Sequence, residues 1–412
     1  MNDHPTDLRG SQHTRSVSMS GQPPGETALS GDTAALVSGS ALERMPTPSL
    51  LLDRSRLERN CERARARCRE LGVRLRPHMK TAKSISAARL AMDPALKGIA
   101  VSTLLEAEYF ADEGIDDIQL AVCVTPDKLE RAAAVNRRVR RFGAFVDSLD
   151  TARAMAARRG LGSPPMGAWI EIDSGEHRTG VALDAPEFLE IACVLHAAPS
   201  IRLEGVATHA GQSYDAASPA ELVAIADLER RTIVEAGARL EAVGLAGLQT
   251  SVGSTPTLFH AQSGEGLTEF RAGVYMLGDL FQVGAGSLSL EDVAVSVLAS
   301  VISRRPGGRR VILDTGGLAL SKDRSTAGGY QKDYGYGRVA DLRGRPYGEV
   351  VIHEVAQEHG FVDWPAELPL PAIGERVRIF PNHVCMTTAM YPKFEVLEGE
   401  RVVDEWVRVS GW

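Results

Sequence analysis

The sequence predicts an α/β protein in which a (β/α)8 barrel of the TIM type is followed by an antiparallel β domain. Eight short apolar segments lie between residues 73 and 277, and segments with helical periodicity alternate with them, as in parallel β/α units. Beyond about residue 287 the helical pattern stops, and valine-rich segments are separated by Gly, Pro and Asp turns. A chain of 412 residues is also long enough for two domains.

The barrel strands are predicted from apolar segments that end in turn residues, and the helices from apolar residues three and four positions apart. An open doubly wound sheet is the main alternative. It is less favoured because no glycine-rich phosphate motif follows the first strand. The strand segments are 73–76, 99–103, 118–124, 143–147, 168–173, 203–209, 248–252 and 270–277, and the helical segments include 126–136, 151–159, 186–197 and 219–243.

The two ends of the barrel region set the predicted domain boundaries. Residues 1–43 are rich in Ser, Gly, Pro and Thr without a periodic apolar pattern, which predicts a disordered tail. The barrel is expected over residues 44–286 and the β domain over 287–412, and a short strand at 47–53 can pair with the second domain. A helix capped by Asp53 or Ser55 should follow this strand.

Composition excludes several classes of function. A net charge of -7 and a pI of about 5.9 give no basic surface for nucleic acid. No apolar run approaches the ~20 residues of a membrane helix, and no apolar core of a signal peptide stands near the start. Five scattered cysteines argue against a disulfide framework and are typical of a reducing cytoplasm. We therefore expect a cytoplasmic protein with small-molecule ligands.

A lysine stands at the carboxyl end of the first predicted barrel strand, in the segment RPHMKT at residues 76–81. Active sites of (β/α)8 barrels lie at this end of the strands. An amine desolvated in such a pocket is partly neutral and can attack a carbonyl to form a Schiff base. The alternative for Lys80 is a solvated charge beside a turn.

The loops after the seventh and eighth predicted strands contain Gly-Ser-Thr at residues 253–255 and Gly-Val-Tyr at 273–275. These loops form the usual phosphate site of the barrel, and their small residues, hydroxyls and backbone N–H groups suit a phosphate dianion. The alternative is that Gly-Ser-Thr only turns the chain and caps a helix at Pro256. A lysine opposite a phosphate site predicts a phosphorylated aldehyde cofactor, pyridoxal phosphate.

Other polar side chains follow predicted strands and can contact the same cofactor. Arg178 can donate to its phenolate or ring, His209 can pack beside the ring, and tyrosine hydroxyls can donate hydrogen bonds. The alternatives are a surface arginine, a core histidine and core aromatic residues. The candidate cofactor contacts are Lys80, Arg178, His209, Tyr214, Gly253, Ser254, Thr255, Gly273, Val274 and Tyr275.

A His-x-Cys pair in the second half of the chain predicts a metal site. If residues 381–385 form a strand, His383 and Cys385 share one face and their side chains converge. One nitrogen and one sulfur ligand suit zinc, although another divalent metal is possible. Without a second close Cys/His pair, positions remain open for water or substrate. Glu358 and His359 can line the same cleft, and the alternative for the pair is two half-buried side chains.

The chain resembles the fold-type III pyridoxal phosphate enzymes, which include alanine racemases, D-threonine aldolases and zinc-dependent, eukaryotic-type D-serine dehydratases. The resemblance rests on TPSLLLD at residues 47–53, RPHMKT at 76–81 and EFRAGVY at 269–275, and it extends to the C-terminus. It implies an alanine racemase N-terminal-like barrel, Lys80 as the Schiff-base lysine and Arg178 as the partner of the phenolate. It also implies a homodimer, and a D-serine dehydratase-like second domain whose metal pair is His383 and Cys385.

The resemblance implies a lyase reaction on a D-3-hydroxy amino acid, with β-elimination of D-serine to pyruvate and ammonia as the leading hypothesis. D-threonine aldolases tend to place a carboxylate where Cys385 stands, which favours the dehydratase branch. The alternatives are a D-threonine aldolase and a non-catalytic pyridoxal phosphate carrier, although the long second domain argues against the carrier. A racemase would need a second acid or base, which the sequence does not reveal.

Overall fold

The computed structural model describes residues 40–158 and 164–412. The last residues of the segment expected to be disordered, residues 1–43, are ordered, because Ala41–Arg44 form a helix, α1, that Ser40 caps. Leu42 of this helix is buried against leucines of the second sheet, so burial of one apolar side chain orders the segment. Residues 1–39, which hold the rest of the predicted tail, lie outside the described residues.

Eight parallel strands form the predicted barrel. Their order is β2-β10-β9-β8-β6-β5-β4-β3, and every pairing along this path is parallel. The two end strands meet through a parallel bridge between His78 and Ala100, and the N–H of Met79 donates to the carbonyl of Ala100 at 2.8 Å. The sheet therefore closes beside the segment that carries Lys80, which rules out the open doubly wound alternative.

Helices cover the outside of the barrel, and a two-residue strand, β7, pairs with the end of β6. The described strands and helices of this half are β1 Ser49–Asp53, α2 Arg54–Glu70, β2 Arg74–Pro77, α3 Ile85–Ala91, β3 Ile99–Val101, α4 Leu104–Asp112, β4 Asp117–Cys123, α5 Leu129–Asn136, β5 Arg141–Val146, α6 Leu149–Ala157, β6 Met166–Asp173, β7 Val181–Ala182, α7 Pro186–Ala197, β8 Ile201–Ala207, α8 Pro219–Ala242, β9 Gln249–Val252, α9 Thr255–His260, β10 Glu269–Ala272 and α10 Leu280–Gly284.

An ion network fills part of the barrel interior. Arg76 of β2 is 1% exposed, and its guanidinium donates to both carboxylate oxygens of Glu269 at 3.0 Å and to Asp117 at 2.7 Å. Burial lowers the pKa of Arg76, but the charges of Glu269 and Asp117 outweigh this effect and raise it. Since β2, β4 and β10 supply one residue each, the network fixes how these strands meet.

The second half is an antiparallel-rich sheet, as predicted. Its path is β14-β13-β17-β11-β1-β18-β19, and β12, β15 and β16 extend it through β11. Strand β1, which precedes the barrel in sequence, lies between β11 (antiparallel) and β18 (parallel). The elements are β11 Val295–Arg304, β12 Arg310–Leu313, α11 Gly317–Leu320, β13 Gly337–Ala340, β14 Pro346–Val351, β15 Glu354–Val355, β16 Gly360–Asp363, β17 Arg376–Pro381, α12 Val384–Thr387, β18 Lys393–Glu398 and β19 Arg401–Val407.

Two strands end earlier in the structure than the sequence predicts. The apolar segment 270–277 is a strand only to Ala272, and Val274–Met276 form a 3-10 turn buried in the core. A short buried apolar run has the same pattern in either conformation, so periodicity could not separate them. Strand β17 ends at Pro381, and His383 is instead the N-cap of α12. Among the described residues, no helix is long and apolar enough to cross a bilayer.

Candidate active site

The carboxyl ends of the barrel strands surround a partly open cleft at the mouth of the barrel. Tyr275, a predicted cofactor contact, is not among the lining residues. Its side chain is buried in the core, and its backbone N–H donates to Thr255 Oγ1 at 3.2 Å. The structure brings the other nine predicted contacts together around this cleft: Lys80, Arg178, His209, Tyr214, Gly253, Ser254, Thr255, Gly273 and Val274.

The segment after β2 holds the lysine at the rim of the cleft. The N–H of Lys80 donates to Nδ1 of His78 at 3.3 Å, and His78 itself joins β2 to β3. Lys83 has a φ of 50°, in the left-handed region that few non-glycine residues adopt. Its Nζ pairs with the buried carboxylate of Glu106 at 2.5 Å. This ion pair and the barrel closure therefore fix the turn on both sides of Lys80.

His209 is held as a neutral imidazole. Its Nδ1 lies 2.6 Å from the carbonyl of Gly253, so Nδ1–H donates and Nε2 remains an acceptor. Burial, with a further contribution from the positive charge of Lys80, lowers the pKa of His209 to about 3. The ring lies in the cleft and carries no charge at neutral pH, which suits packing beside an aromatic cofactor.

Gly253 begins the loop predicted to hold phosphate, and only glycine fits there. A Cβ would lie 2.0 Å from the carbonyl oxygen of Arg271, and φ is +146°. Ser254 then caps α9 by accepting from the N–H of Thr257 at 3.2 Å. Below the loop, Glu229 of α8 is fully buried and accepts from the N–H groups of Gly253 (2.9 Å) and Ala210 (3.1 Å). One carboxylate therefore ties the loops after β8 and β9 together.

Arg178 and Tyr214 reach the cleft from loops. The guanidinium of Arg178 pairs with Glu176 at 3.2 Å, and its side chain is 54% exposed. The ring of Tyr214 stacks on Phe281 with centroids 5.0 Å apart, and burial, followed by the nearby charge of Cys385, raises the pKa of Tyr214. The phenol is therefore a hydrogen-bond donor at neutral pH.

His383 and Cys385 converge next to this cleft, although not on a strand. Nδ1 of His383 lies 2.6 Å from Asp323 Oδ2, and Sγ of Cys385 lies 3.1 Å from Thr81 Oγ1, one residue beyond Lys80. Burial raises the pKa of Cys385, but the hydrogen bond and charge of His383, and the charge of Lys80, outweigh it and lower the pKa. A thiol of lowered pKa beside a histidine is a suitable donor pair for a soft divalent metal, which binds the thiolate form.

Asp279 fixes the backbone at this pair. It caps α10 by accepting from the N–H of Gln282 at 2.9 Å, and its second oxygen accepts from the N–H of Val384 at 3.0 Å. The barrel therefore holds the first turn of α12 directly. By contrast, Glu358 and His359 are exposed between β15 and β16 and are not among the residues that line the cleft.

Sequence reasoning missed several residues of the cleft. His78, Glu171 and Arg271 line it, and each stands in or just after the carboxyl half of a barrel strand, which is the signal that could have found them. Arg271 is buried, donates to Ser251 Oγ and the carbonyl of Thr208, and lies over the ring of Phe145 with 5.1 Å between Cζ and the centroid. It brings a fixed cation to the cleft floor.

Glu171 also belongs to a second group of metal-ligand types. One donor atom each from Cys123, Asp147 and Glu171 lies within 4.8 Å of the others, at the ends of β4, β5 and β6. Sγ of Cys123 donates to Glu171 at 3.0 Å, and burial together with this carboxylate raises the pKa of Cys123. The thiol therefore stays protonated and is satisfied by the carboxylate.

These residues fit pyridoxal phosphate. The amine of Lys80, the guanidinium groups of Arg178 and Arg271 and the neutral imidazole of His209 surround one cleft. Gly253 has no side chain, so the backbone at the floor of the cleft is open to a ligand. The donor set at His383 and Cys385 fits a divalent metal in the same way, with one nitrogen, one sulfur and positions left for water or substrate. A parallel barrel with a lysine at its mouth and an appended antiparallel sheet defines the class of fold-type III pyridoxal phosphate enzymes.

Comparison with known proteins gives the family. The alanine racemase N-terminal domain family matches residues 52–280, and a serine dehydratase domain family matches residues 294–397. The chain belongs to the alanine racemase N-terminal domain family and, within it, to the pyridoxal phosphate-dependent lyases that carry the serine dehydratase domain.

Three relatives show the range of reactions in this group. The chain is 42% identical to D-threo-3-hydroxyaspartate dehydratase of Delftia sp. (strain HT23), over 89% of this chain and 98% of the relative. It is 30% identical to D-serine dehydratase of Schizosaccharomyces pombe (91% and 94% covered) and 28% identical to D-threonine aldolase of Arthrobacter sp. (89% and 93%). A metal-free cysteine-to-alanine variant of D-threo-3-hydroxyaspartate dehydratase superposes with a TM-score of 0.83, at 40% identity over 90% and 99% of the chains.

Proposed function

We propose that this lyase carries out a metal-assisted β-elimination from D-3-hydroxy amino acids, releasing ammonia and a 2-oxo acid. The observation that carries the proposal is the contact of Thr81 with Cys385, because it places the lysine segment directly beside the His383–Cys385 pair. A base for the α-proton then lies in the cleft, and a metal site for the β-hydroxyl lies directly beside it.

Lys80 is the proposed base and the attachment point of the cofactor. Pyridoxal phosphate, when bound, supplies an electron sink for the electron pair left at the substrate α-carbon. The amine of Lys80 takes the α-proton, since it is the amine that lines the cleft and the turn around it is fixed. Arg178 and Tyr214 are proposed to donate to the cofactor ring, and His209 to pack beside it.

The loops at Gly253–Thr255 and Gly273–Val274 are proposed to hold the phosphate. Their glycines keep the backbone close to the cleft, and the hydroxyls of Ser254 and Thr255, which accept from the N–H groups of Thr257 and Tyr275, can each still donate to a phosphate oxygen. Arg271 lies in the same wall and adds positive charge toward an anionic ligand. The cofactor is thereby oriented from both ends.

His383 and Cys385 are proposed to hold the metal, with zinc as the expected ion. A divalent metal, when bound, supplies Lewis acidity that makes a β-hydroxyl a better leaving group. A cysteine-to-alanine variant of D-threo-3-hydroxyaspartate dehydratase has been solved in a metal-free form, which supports a cysteine as one of the metal ligands. Cys385 also supports elimination over aldol cleavage, as the family resemblance implies.

The substrate is proposed to be a small D-3-hydroxy amino acid. D-serine is the simplest member, and the two relatives of highest identity named above act on D-threo-3-hydroxyaspartate and D-serine. Elimination would give pyruvate from D-serine and oxaloacetate from D-threo-3-hydroxyaspartate, with ammonia in both cases. A homodimer in the cytoplasm is the expected form of the enzyme.

Incubation with D-threonine separates the two lyase reactions. Elimination gives 2-oxobutanoate and ammonia, whereas aldol cleavage gives glycine and acetaldehyde. We expect 2-oxobutanoate, and parallel assays with D-serine and D-threo-3-hydroxyaspartate rank the substrates by kcat/KM. Glycine and acetaldehyde as the main products would show an aldolase. Absence of turnover with all three substrates, in protein that binds the cofactor, would favour the carrier alternative.

A further inference from the structure

Arg408, four residues from the C-terminus, joins the two segments that carry the proposed chemistry. It follows β19 and is 5% exposed. On one side its guanidinium donates to the carbonyls of Thr81 (3.2 Å) and Ala82 (3.0 Å), directly after Lys80. These bonds tie the C-terminus of the chain to the lysine segment.

On its other side the same guanidinium binds the segment that follows Cys385. It donates to the carbonyl and to the Oγ1 of Thr388, the latter at 3.1 Å, and to the carbonyl of Tyr391 at 2.7 Å. The five bonds of the guanidinium use acceptors from two separate parts of the fold, the segment after β2 and the turn between α12 and β18. A lysine ammonium has three donors without the planar fork, so it could not span both sets.

Other hydrogen bonds near Arg408 connect the same segments. Thr388 Oγ1 donates to the carbonyl of Thr81 at 3.3 Å, and the N–H of Val409 donates to the carbonyl of Lys83 at 2.9 Å. The Cζ of Arg408 also lies 5.1 Å from the ring centroid of Phe394 on β18, which fixes the side chain from behind. The last residues of the chain therefore set the spacing between the lysine segment and the thiol segment.

We propose that Arg408 is a positioning residue that holds the Lys80 segment against the His383–Cys385 segment. It thereby keeps the two segments at the distance at which both can act on one substrate molecule. The effect on catalysis rests on the proposed function. The hydrogen bonds by which Arg408 joins the two segments do not depend on it. Arg408 touches neither segment's reactive atoms. A shift of about 1 Å between catalytic groups is enough to lower a rate by about 100-fold.

The test compares Arg408→Met and Arg408→Lys with Arg401→Met, an exposed arginine on β19 that serves as the matched control. In the holoenzyme, elimination from the best substrate is measured beside exchange of the α-proton in D2O. We expect Arg408→Met to lower elimination by about 10- to 100-fold while exchange changes by less than about 3-fold. Arg408→Lys should restore part of the elimination rate, and Arg401→Met should match the unaltered protein.

A second measurement tests the contact between the two segments without depending on catalytic activity. Full-length protein treated with a chelator is alkylated with iodoacetamide, and the Cys385 peptide is followed by mass spectrometry. Loss of the Arg408 hydrogen bonds should speed alkylation of Cys385, because the segment that carries this thiol is then no longer held against the Lys80 segment. Equal loss of exchange and elimination, with unchanged alkylation, would overturn the proposal.

If Arg408→Met fails to fold, Thr388→Val removes one hydroxyl from the same link and should shift alkylation and elimination in the same direction by a smaller factor. Unchanged rates of alkylation and elimination in Thr388→Val would then count against the positioning role of Arg408. A protein without elimination activity on any D-3-hydroxy amino acid would refute the proposed function, while faster alkylation in Arg408→Met would still support the link.

Discussion

Nδ1 of His383 lies 2.6 Å from Oδ2 of Asp323, two residues that are 60 positions apart in sequence. The bond leaves Nε2 as the nitrogen that can ligate a metal. Burial lowers the pKa of His383, but the hydrogen bond to Asp323 and the charge of Cys385 outweigh it and raise the pKa to about 10. A carboxylate behind a histidine fixes its tautomer and increases its basicity as a metal ligand.

Asp323→Asn should weaken metal binding. The amide removes the negative charge behind His383, and loss of such a partner lowers metal affinity by about 10- to 100-fold. Competition with a chromogenic chelator measures the affinity in the purified protein. Asp363→Asn, an exposed carboxylate of the same domain, is the control and should leave it unchanged. An Asp323→Asn protein with full metal affinity would show that Asp323 does not support the site.

Lys80→Ala and Cys385→Ala should separate the cofactor from the metal. Lys80→Ala removes the amine that the cofactor aldehyde binds, so the absorbance near ~420 nm of the lysine-bound cofactor should disappear. Cys385→Ala should keep that absorbance and lose both metal and elimination. Absorbance spectra, metal analysis and a D-serine assay on the two proteins check these outcomes. A metal-free Cys385→Ala protein with full activity would remove the metal from the reaction.

Glu229 should make the protein less stable as the pH rises. Burial raises the pKa of this carboxyl from 4.5 to about 7, in spite of its hydrogen bonds to Thr257 and Gly253. The folded state therefore holds the proton more tightly, and the stability present below pH ~4.5 is lost as pH rises through 7, by roughly 3 kcal/mol at ~1.4 kcal/mol per pKa unit.

Glu229→Gln should remove that dependence, because the amide keeps an oxygen for the N–H groups of Gly253 and Ala210 but does not ionise. Urea unfolding between pH 4.5 and 7.5 measures the difference. Glu235→Gln, an exposed residue of the same helix, should retain the slope of the unaltered protein. The interpretation fails if the Glu229→Gln and unaltered proteins lose stability in parallel.

Arg76→Leu should destabilise the barrel by about 3–5 kcal/mol, since it leaves Glu269 and Asp117 buried without their cation. Arg231→Leu breaks an exposed pair with Asp227 on α8 and should change stability by less than about 1 kcal/mol. Denaturant unfolding at one pH compares both with the unaltered protein. Equal small effects would show that the interior ion network is not a stabilising unit.

The sequence by itself determined the architecture and most of the cleft. Alternation of apolar and helical segments is a local property, so it predicted the parallel barrel and the antiparallel sheet. Because active-site residues of a barrel follow its strands, Lys80 and the loops near Gly253 and Gly273 could be placed around one cleft before any contact was known.

Only the tertiary structure decided which side chains support that cleft. The partner of His383 lies 60 residues away, and Arg408 binds Ala82 across 326 residues, so no local period connects them. The sequence pattern also predicts a strand for the residues that bring His383 and Cys385 together. In the structure they begin the helix α12, and the hydrogen bond from the N–H of Val384 to Asp279 of the barrel helps to fix this helix start. Such contacts depend on closure of the barrel and docking of the second sheet, and sequence spacing does not encode them.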